Sequence, residues 1–160
     1  MNLVHFPDPI LNQVAKTVQF SEVSPEWLDL FCDRMLQVMV SSGGVGLAAP
    51  QVGHSIRVFV MLDEGDRPLI AINPTLVPVG TEMEQDNEGC LSFPGEIRER
   101  FRHKTVLLQA YDSKGERWLK TLKGFSARVA QHEFDHLQGV HFGTGLSWLK
   151  RKELAKALRR

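Results

Sequence analysis

Cysteine is scarce in this chain. Two thiols, Cys32 and Cys90, in 160 residues are too few for a disulfide scaffold, and an intracellular reading favours free thiols or a metal ligand. An excess of charge is missing as well: 19 basic residues face 19 acidic ones, so no global field selects DNA or a membrane surface as partner. There is no run of about 18 consecutive apolar residues, which excludes a membrane-spanning helix from the reading. The opening MNLVHFPDPI carries neither a cationic start followed by a long apolar run nor an Arg-rich amphipathic stretch, so a cytoplasmic protein is expected. Phosphate-binding signatures are also lacking. The loop from Gly43 to Gly53, GGVGLAAPQVG, has no Gly-Lys-Ser/Thr ending, and Pro50 interrupts the helix that a dinucleotide fingerprint would open.

What is present suffices for one core, with 42% hydrophobic and 24% charged residues. Asp8 followed by Pro9 reads as a cap with proline at the first helical position, opening a short helix through Leu11, Val14 and Ala15. A longer helix is expected from Ser24 to Val40, with Trp27, Leu28, Phe31, Met35, Val38 and Met39 at helical spacing. Cys32 falls among them as a buried small hydrophobe. IRVFVML and LIAI around DEGDRP form one hairpin, and KTVLLQAY and ERWLKTL around DSKG form a second. Between them Asn73, Pro74, Pro78 and Gly80 break the β pattern, and EMEQDNE reads as a largely solvated acidic loop.

The chemistry concentrates near the end. In QHEFDHLQG, from Gln131 to Gly139, His132 and His136 are four apart. At about 100° per residue they share a helical face, where one metal ion can take both imidazoles. Glu133 beside them can take a proton from water, as in the two-histidine, one-glutamate signature of zinc hydrolases. The helix begins near Phe125 or Ser126 and ends at Gly139, a natural C-terminal cap. Phe125 and Val129 lie on the side of His132, either as core or as lining of an apolar pocket.

A third ligand is available in EGCLSFPG, where a glycine before Cys90 and Pro94 and Gly95 after it present the thiol from a constrained turn. A thiolate and two imidazoles suit zinc or ferrous iron, and three protein ligands leave a coordination position open, the pattern of catalytic sites. His5, His54, His103 and His141 are isolated and read as surface or satisfied polar residues. The small residues Gly44, Gly46, Ala48 and Ala49 allow close backbone approach, leaving Gln51 as the donor side chain of a substrate cleft.

Together GVGLAAPQ (Gly44 to Gln51), EGCLS (Glu88 to Ser92) and QHEFDH (Gln131 to His136) resemble, in order and spacing, the three signature motifs of the peptide deformylase family, and the resemblance runs from PDPIL to Gly139. It implies a cytoplasmic metalloenzyme that removes the N-formyl group from the initiator methionine of new polypeptides. The implied fold is α+β, with antiparallel sheets packed around a central metal-binding helix, an N-terminal helix and a C-terminal helix. The implied metal ligands are Cys90, His132 and His136. Glu133 corresponds to the general base, and the Gln51 side chain and Leu91 backbone N–H to the oxyanion donors. Val45, Gly46 and Gly89 are the expected peptide-pairing backbone, with Phe125 and Val129 lining the methionine pocket. One divalent ion per chain is expected: Fe2+ in the cell, with Zn2+, Ni2+ or Co2+ possible on purification.

Residues 1–146 form the expected catalytic domain of a monomer. Residues 147–160, SWLKRKELAKALRR, carry six basic residues against one acid and should form a basic amphipathic helix, either docking on ribosomal RNA or simply solvated. Two positions depart from the family pattern, Arg100 in IRERFR and Thr144 in HFGTGLS, and neither is a ligand. A zinc peptidase of another class and a scaffold with a structural metal are the rival readings. The first leaves EGCLS unexplained, because such enzymes take their third ligand from a downstream glutamate or histidine.

Overall fold

The fold, a computed structural model, describes residues 1–158; Arg159 and Arg160, assigned above to the C-terminal helix, lie outside them. Asp8 Oδ1 accepts from Ile10 N at 3.0 Å, and Pro9–Asn12 forms a 3₁₀ turn where a short helix was expected. Helix α1 spans Pro25–Ser41. Ser24 Oγ accepts from Trp27 N at 3.2 Å, which satisfies one of the amides that a helix start leaves unpaired. Its buried stripe is Leu28, Phe31, Cys32, Met35 and Met39. Trp27 is half exposed and stacks on Phe31. Burial, then the charges of Asp29 and Asp33, push the Cys32 thiol up to about 12, as expected of a thiol that serves as a small hydrophobe.

Strands β1 (Gly46–Ala48), β2 (Val58–Leu62), β3 (Pro68–Pro78), β4 (Met83–Gly89), β5 (Ile97–His103), β6 (Thr105–Tyr111) and β7 (Arg117–Lys123) follow. They build a five-stranded antiparallel sheet of order β1-β2-β3-β6-β7 and a separate ribbon of β4 and β5. Helix α2, Gly124–Leu137, lies between sheet and ribbon and contacts both. Strand β2 explains the geometry. Val58 and Val60 pack with Leu28, Phe31 and Met35 of α1, while Phe59 and Met61 pack with Ala127, Val129 and Ala130 of α2. A strand covered on both faces has no reason to alternate, hence the unbroken VFVM. Each such side chain contributes about 1.5–3 kcal/mol on burial.

Two expectations fail here. Asn73 and Pro74 do not end the strand. The register shifts between Ile72 and Thr75, and Asn73 takes φ +49°, which asparagine tolerates better than most residues. Its side chain accepts from Val18 N at 2.8 Å and donates to Val18 O at 2.9 Å, so the bulge is fastened to the N-terminal segment and pairing resumes. EMEQDNE is solvent-exposed as expected, Glu88 excepted, but it is not a loop. Its last residues are β4, and the register sets Glu84 opposite Arg102, Asp86 opposite Arg100 and Glu88 opposite Arg98. Opposite charges facing across strands stabilise the pairing. The two expected hairpins, β2–β3 and β6–β7, form as read.

Helix α3, Trp148–Ala157, is capped by Ser147. Its apolar side is narrow: Leu154 is buried among Phe6, Leu11, Phe93 and Phe142, whereas Trp148 is exposed beneath the Lys152 ammonium. Thr144 Oγ1 accepts from His141 N at 2.9 Å, so that departure is absorbed within its own turn, and the Arg100 guanidinium lies over the Phe142 ring.

Helix α2 stops as expected at Gly139, φ +70°, where an added Cβ would lie 2.6 Å from Asn12 O. A left-handed conformation costs a non-glycine residue about 1–3 kcal/mol, and the carbonyl contact adds to it. Gly139→Ala should therefore lower stability in urea by at least that amount, and an unchanged unfolding midpoint would contradict this account of the cap.

Candidate metal centre and cleft

Helix α2 carries His132 and His136 on one face, their ring centroids 5.0 Å apart. The turn after β4 brings Cys90 against them, with Sγ 3.3 Å from His136 Nε2. The three donor atoms lie within 4.8 Å of one another. Tetrahedral coordination at the usual Zn–S and Zn–N lengths separates ligand atoms by roughly 3.5 Å, so the set fits a divalent cation after small adjustment. The surrounding groups fit one too. Burial disfavours a charge on His132, yet hydrogen bonds to Cys90 and Glu88 and the charge of Glu133 outweigh it and raise the imidazole to about 10. The carboxylate of Glu88 beside His132 is a negative charge that a bound cation would also meet. His136 goes the other way, far below the ordinary histidine range because of burial first and the charge of His132 second, which keeps it neutral as a ligand must be.

Glu88 fixes the first imidazole: its Oε2 stands 3.0 Å from His132 Nδ1, leaving Nε2 as the nitrogen that could meet a metal, the arrangement that commonly orients metal-binding histidines. Arg102 holds Glu88 through Nε at 2.7 Å and Nη2 at 3.0 Å, and reaches Asp135 with Nη1 at 2.7 Å. Burial favours the neutral acid at Glu88, but these hydrogen bonds keep it well below the usual carboxylate range. The Gln131 amide donates to His103 O and accepts from His103 N, tying α2 to β5 one residue before the first ligand.

Glu133 is buried, with Oε2 unpartnered among the described residues. Burial is the main reason its carboxyl rises to about 7, with His132 pulling it down and Glu88 and Asp135 pushing it up. A proton acceptor near neutrality is suited to general base work. The sequence predicts a close backbone approach at the glycine loop, and this occurs at Gly46: an added Cβ would collide with Glu133 Oε1 and lie 2.8 Å from Val129 Cγ1. Gln51 is fully buried. Its Oε1 accepts from Ala48 N at 2.8 Å, which turns Nε2 towards Ser92 Oγ at 3.2 Å and Cys90 Sγ at 3.5 Å.

Several of these groups meet at a cleft of about 530 Å³, whose lining His136 does not join. Cys90, His132, Glu133, Gln51, Leu91, Val45, Gly46, Gly89, Phe125 and Val129 all line it. Phe125 is exposed and Val129 buried, so both belong to the cleft and Val129 to the core as well. Cys32 lies elsewhere, in α1. His141 is satisfied by Asn12 and by the Gly143 amide, and His54 sits edge-on to Phe31. His5, set aside as isolated, does line the cleft. The supporting charges Glu88, Arg102, Arg128 and Asp135 received no role from the sequence. Glu88 and Asp135 were visible as members of EGCLS and QHEFDH, whereas the arginines depended on a β4–β5 pairing that the acidic composition concealed.

Comparison with known proteins agrees with this geometry. The polypeptide deformylase family model matches residues 1–152. A peptide deformylase of Thermotoga petrophila is 44% identical over 153 residues, covering 96% of this chain and 91% of the relative. The crystal structure of peptide deformylase from Thermotoga maritima, 42% identical, superposes with a TM-score of 0.83 over 91% of this chain and 97% of that one. A class I type b peptide deformylase from Acinetobacter baumannii, solved with Met-Ala-Ser bound, is 31% identical, with a TM-score of 0.83 over 91% of this chain and 98% of that one. With three cleft motifs converging as their spacing requires and the family matched along nearly the whole length, this chain belongs to the polypeptide deformylase family.

Proposed function

We infer that this protein is a metal-dependent hydrolase that removes the N-formyl group from the N-terminal formylmethionine of newly made polypeptides. The observation that carries the reading is the Glu133 carboxylate, buried near neutrality beside three convergent soft and borderline ligands at a peptide-sized cleft. The Acinetobacter baumannii relative holds Met-Ala-Ser, which has the form of a deformylated product and supports the same substrate class here.

Cys90, His132 and His136 are the proposed ligands of one divalent cation. When bound, that cation supplies Lewis acidity, bringing the pKa of a water within its reach from about 15.7 towards roughly 7. Glu133 takes a proton from the attacking water, whose oxygen adds to the formyl carbon. The carbon–nitrogen bond then breaks, and Glu133 returns the proton to the departing amine, so that formamide and water become formate and a free N-terminus. Negative charge on the formyl oxygen is met by the Gln51 amide and the Leu91 N–H, donors of a kind worth about a hundredfold or more each. Strand β1 pairs only with β2, and β4 only with β5, among the described residues. Val45 and Gly46 on one side and Gly89 on the other therefore offer backbone for an extended peptide to pair with, and Phe125 and Val129 receive the methionine side chain.

Residues 1–146 act as the catalytic domain of a cytoplasmic monomer, and α3 docks it on the ribosome. Lys150, Lys152 and Lys156 are exposed on α3 and available to phosphates. Reversing those three charges leaves Leu154 in place, so salt-sensitive ribosome binding should fall while turnover of a short formyl peptide is kept; undiminished binding in a sedimentation assay would remove the docking role.

The ion used in the cell is proposed to be Fe2+, because a thiolate ligand lowers the Lewis acidity of zinc. Iron-loaded protein should deformylate quickly without oxygen and lose activity in air, while zinc-loaded protein is slower and stable. Equal, oxygen-insensitive rates with both ions would contradict this.

Formyl-methionyl peptide should be turned over and its acetylated counterpart left intact. In the same assay Glu133→Ala should keep its metal and lose about 10⁴ in rate, the upper range for acid–base catalysis, whereas His132→Ala and Cys90→Ala should lose metal and activity together. Metal content measured beside the rate decides: a Glu133→Ala protein that is active or metal-free cannot be lacking only its base.

A further inference from the structure

Arg128 is buried to 4% exposure one helical turn before His132, and no role in the reaction has been given to it. A guanidinium so deeply placed is costly unless its donors are met, and here both terminal nitrogens are met, on two strands. Nη1 donates to Glu88 Oε1 at 2.9 Å, to Arg100 O at 2.9 Å and to Asp86 O at 3.4 Å. Nη2 donates to Glu84 O at 2.7 Å. One side chain of α2 thus grips two carbonyls of β4, one of β5, and the carboxylate whose other oxygen stands 3.0 Å from His132 Nδ1. Arg102 also holds Glu88, but from β5, and its remaining contact is Asp135. Among these charges Arg128 is the one that draws the β4 and β5 backbone onto the ligand-bearing helix. It also lines the cleft beside Asn87, Glu88 and Gly89 of β4.

We propose that Arg128 is a positioning residue that couples the wall of the side-chain pocket to the metal ligand His132, by clamping β4 and Glu88 onto the helix that carries that ligand. Two consequences are separable. Without the clamp Glu88 is less constrained, so His132 is less well oriented and the ion is held less firmly. The β4 wall is also freed to shift, so the pocket discriminates less well between a methionine side chain and a shorter one. Lysine keeps the charge but offers one point donor in place of a planar fork, so it cannot span three carbonyls and a carboxylate.

The test uses metal-loaded full-length protein and the variants Arg128→Met and Arg128→Lys. The control is Leu28→Ala, a cavity in the core between α1 and the sheet, on the face of β2 opposite α2 and the clamp. Two quantities are read: the rate at which a chelator removes the ion, and the ratio of kcat/KM for formyl-Met over formyl-Val peptides. Arg128→Met should release the ion about tenfold faster, the lower end of what changes behind a ligand cost, with Arg128→Lys in between. Both variants should show a reduced Met-over-Val ratio. Leu28→Ala should be destabilised to heat and keep both quantities at the starting values. Wild-type ion release and selectivity in a folded Arg128→Met protein would overturn the proposal, as would Leu28→Ala releasing its ion as fast as Arg128→Met. If Arg128→Met does not fold, Arg128→Lys carries the same comparison. The selectivity reading rests on the deformylase function, and the ion-release reading does not: an inactive starting protein would refute the function and leave the coupling to be judged by the chelator alone.

Discussion

The structure depends on bringing a thiol from the turn after β4 and two imidazoles from a helix to within 4.8 Å of one another at the wall of a cleft. No local segment can do this. His132 and His136 share a face because of helical pitch, but Cys90 reaches them only because α2 is wedged between the five-stranded sheet and the β4–β5 ribbon. The wedge is held by unlike forces on its two sides. Towards the sheet it is apolar, with Val129 and Ala130 on Phe59 and Met61. Towards the ribbon it is ionic, through Arg128, Glu88 and Arg102.

That division of forces suits the chemistry. Apolar packing around Glu133 raises its carboxyl to about 7, which a solvated carboxylate would not reach. Charged packing around His132 fixes the ring and supplies the negative surroundings a cation requires. Were the ribbon side apolar, His132 would lose the Glu88 oxygen that sets its tautomer. Were the sheet side polar, Glu133 would titrate as an ordinary acid. Gly46 marks the meeting point, because any larger residue there would displace the carboxylate.

The acidic stretch before Cys90 looks like a loop because its composition is read one residue at a time, whereas its order depends on arginines ten or more positions later. The Asn73-Pro74 pair looks like a break because its local conformation is one, yet two hydrogen bonds between Asn73 and Val18 hold a bulge where the strand was expected to end. His5 looked isolated for the same reason, since its position on the cleft wall comes from chain segments far away in sequence.

By itself the sequence determined α1 and α3 with their serine caps, the stop of α2 at Gly139, both hairpins, the buried state of Cys32, and Cys90, His132 and His136 as a candidate metal cluster beside Glu133. Each of these is written in local period, cap chemistry or short spacing, and those survive without knowledge of contacts. Only the tertiary structure decided which charges stand behind the ligands, how far Glu133 is removed from water, and that an acidic segment is a strand. These depend on burial and on cross-strand register, and both arise from pairings between residues distant in the chain.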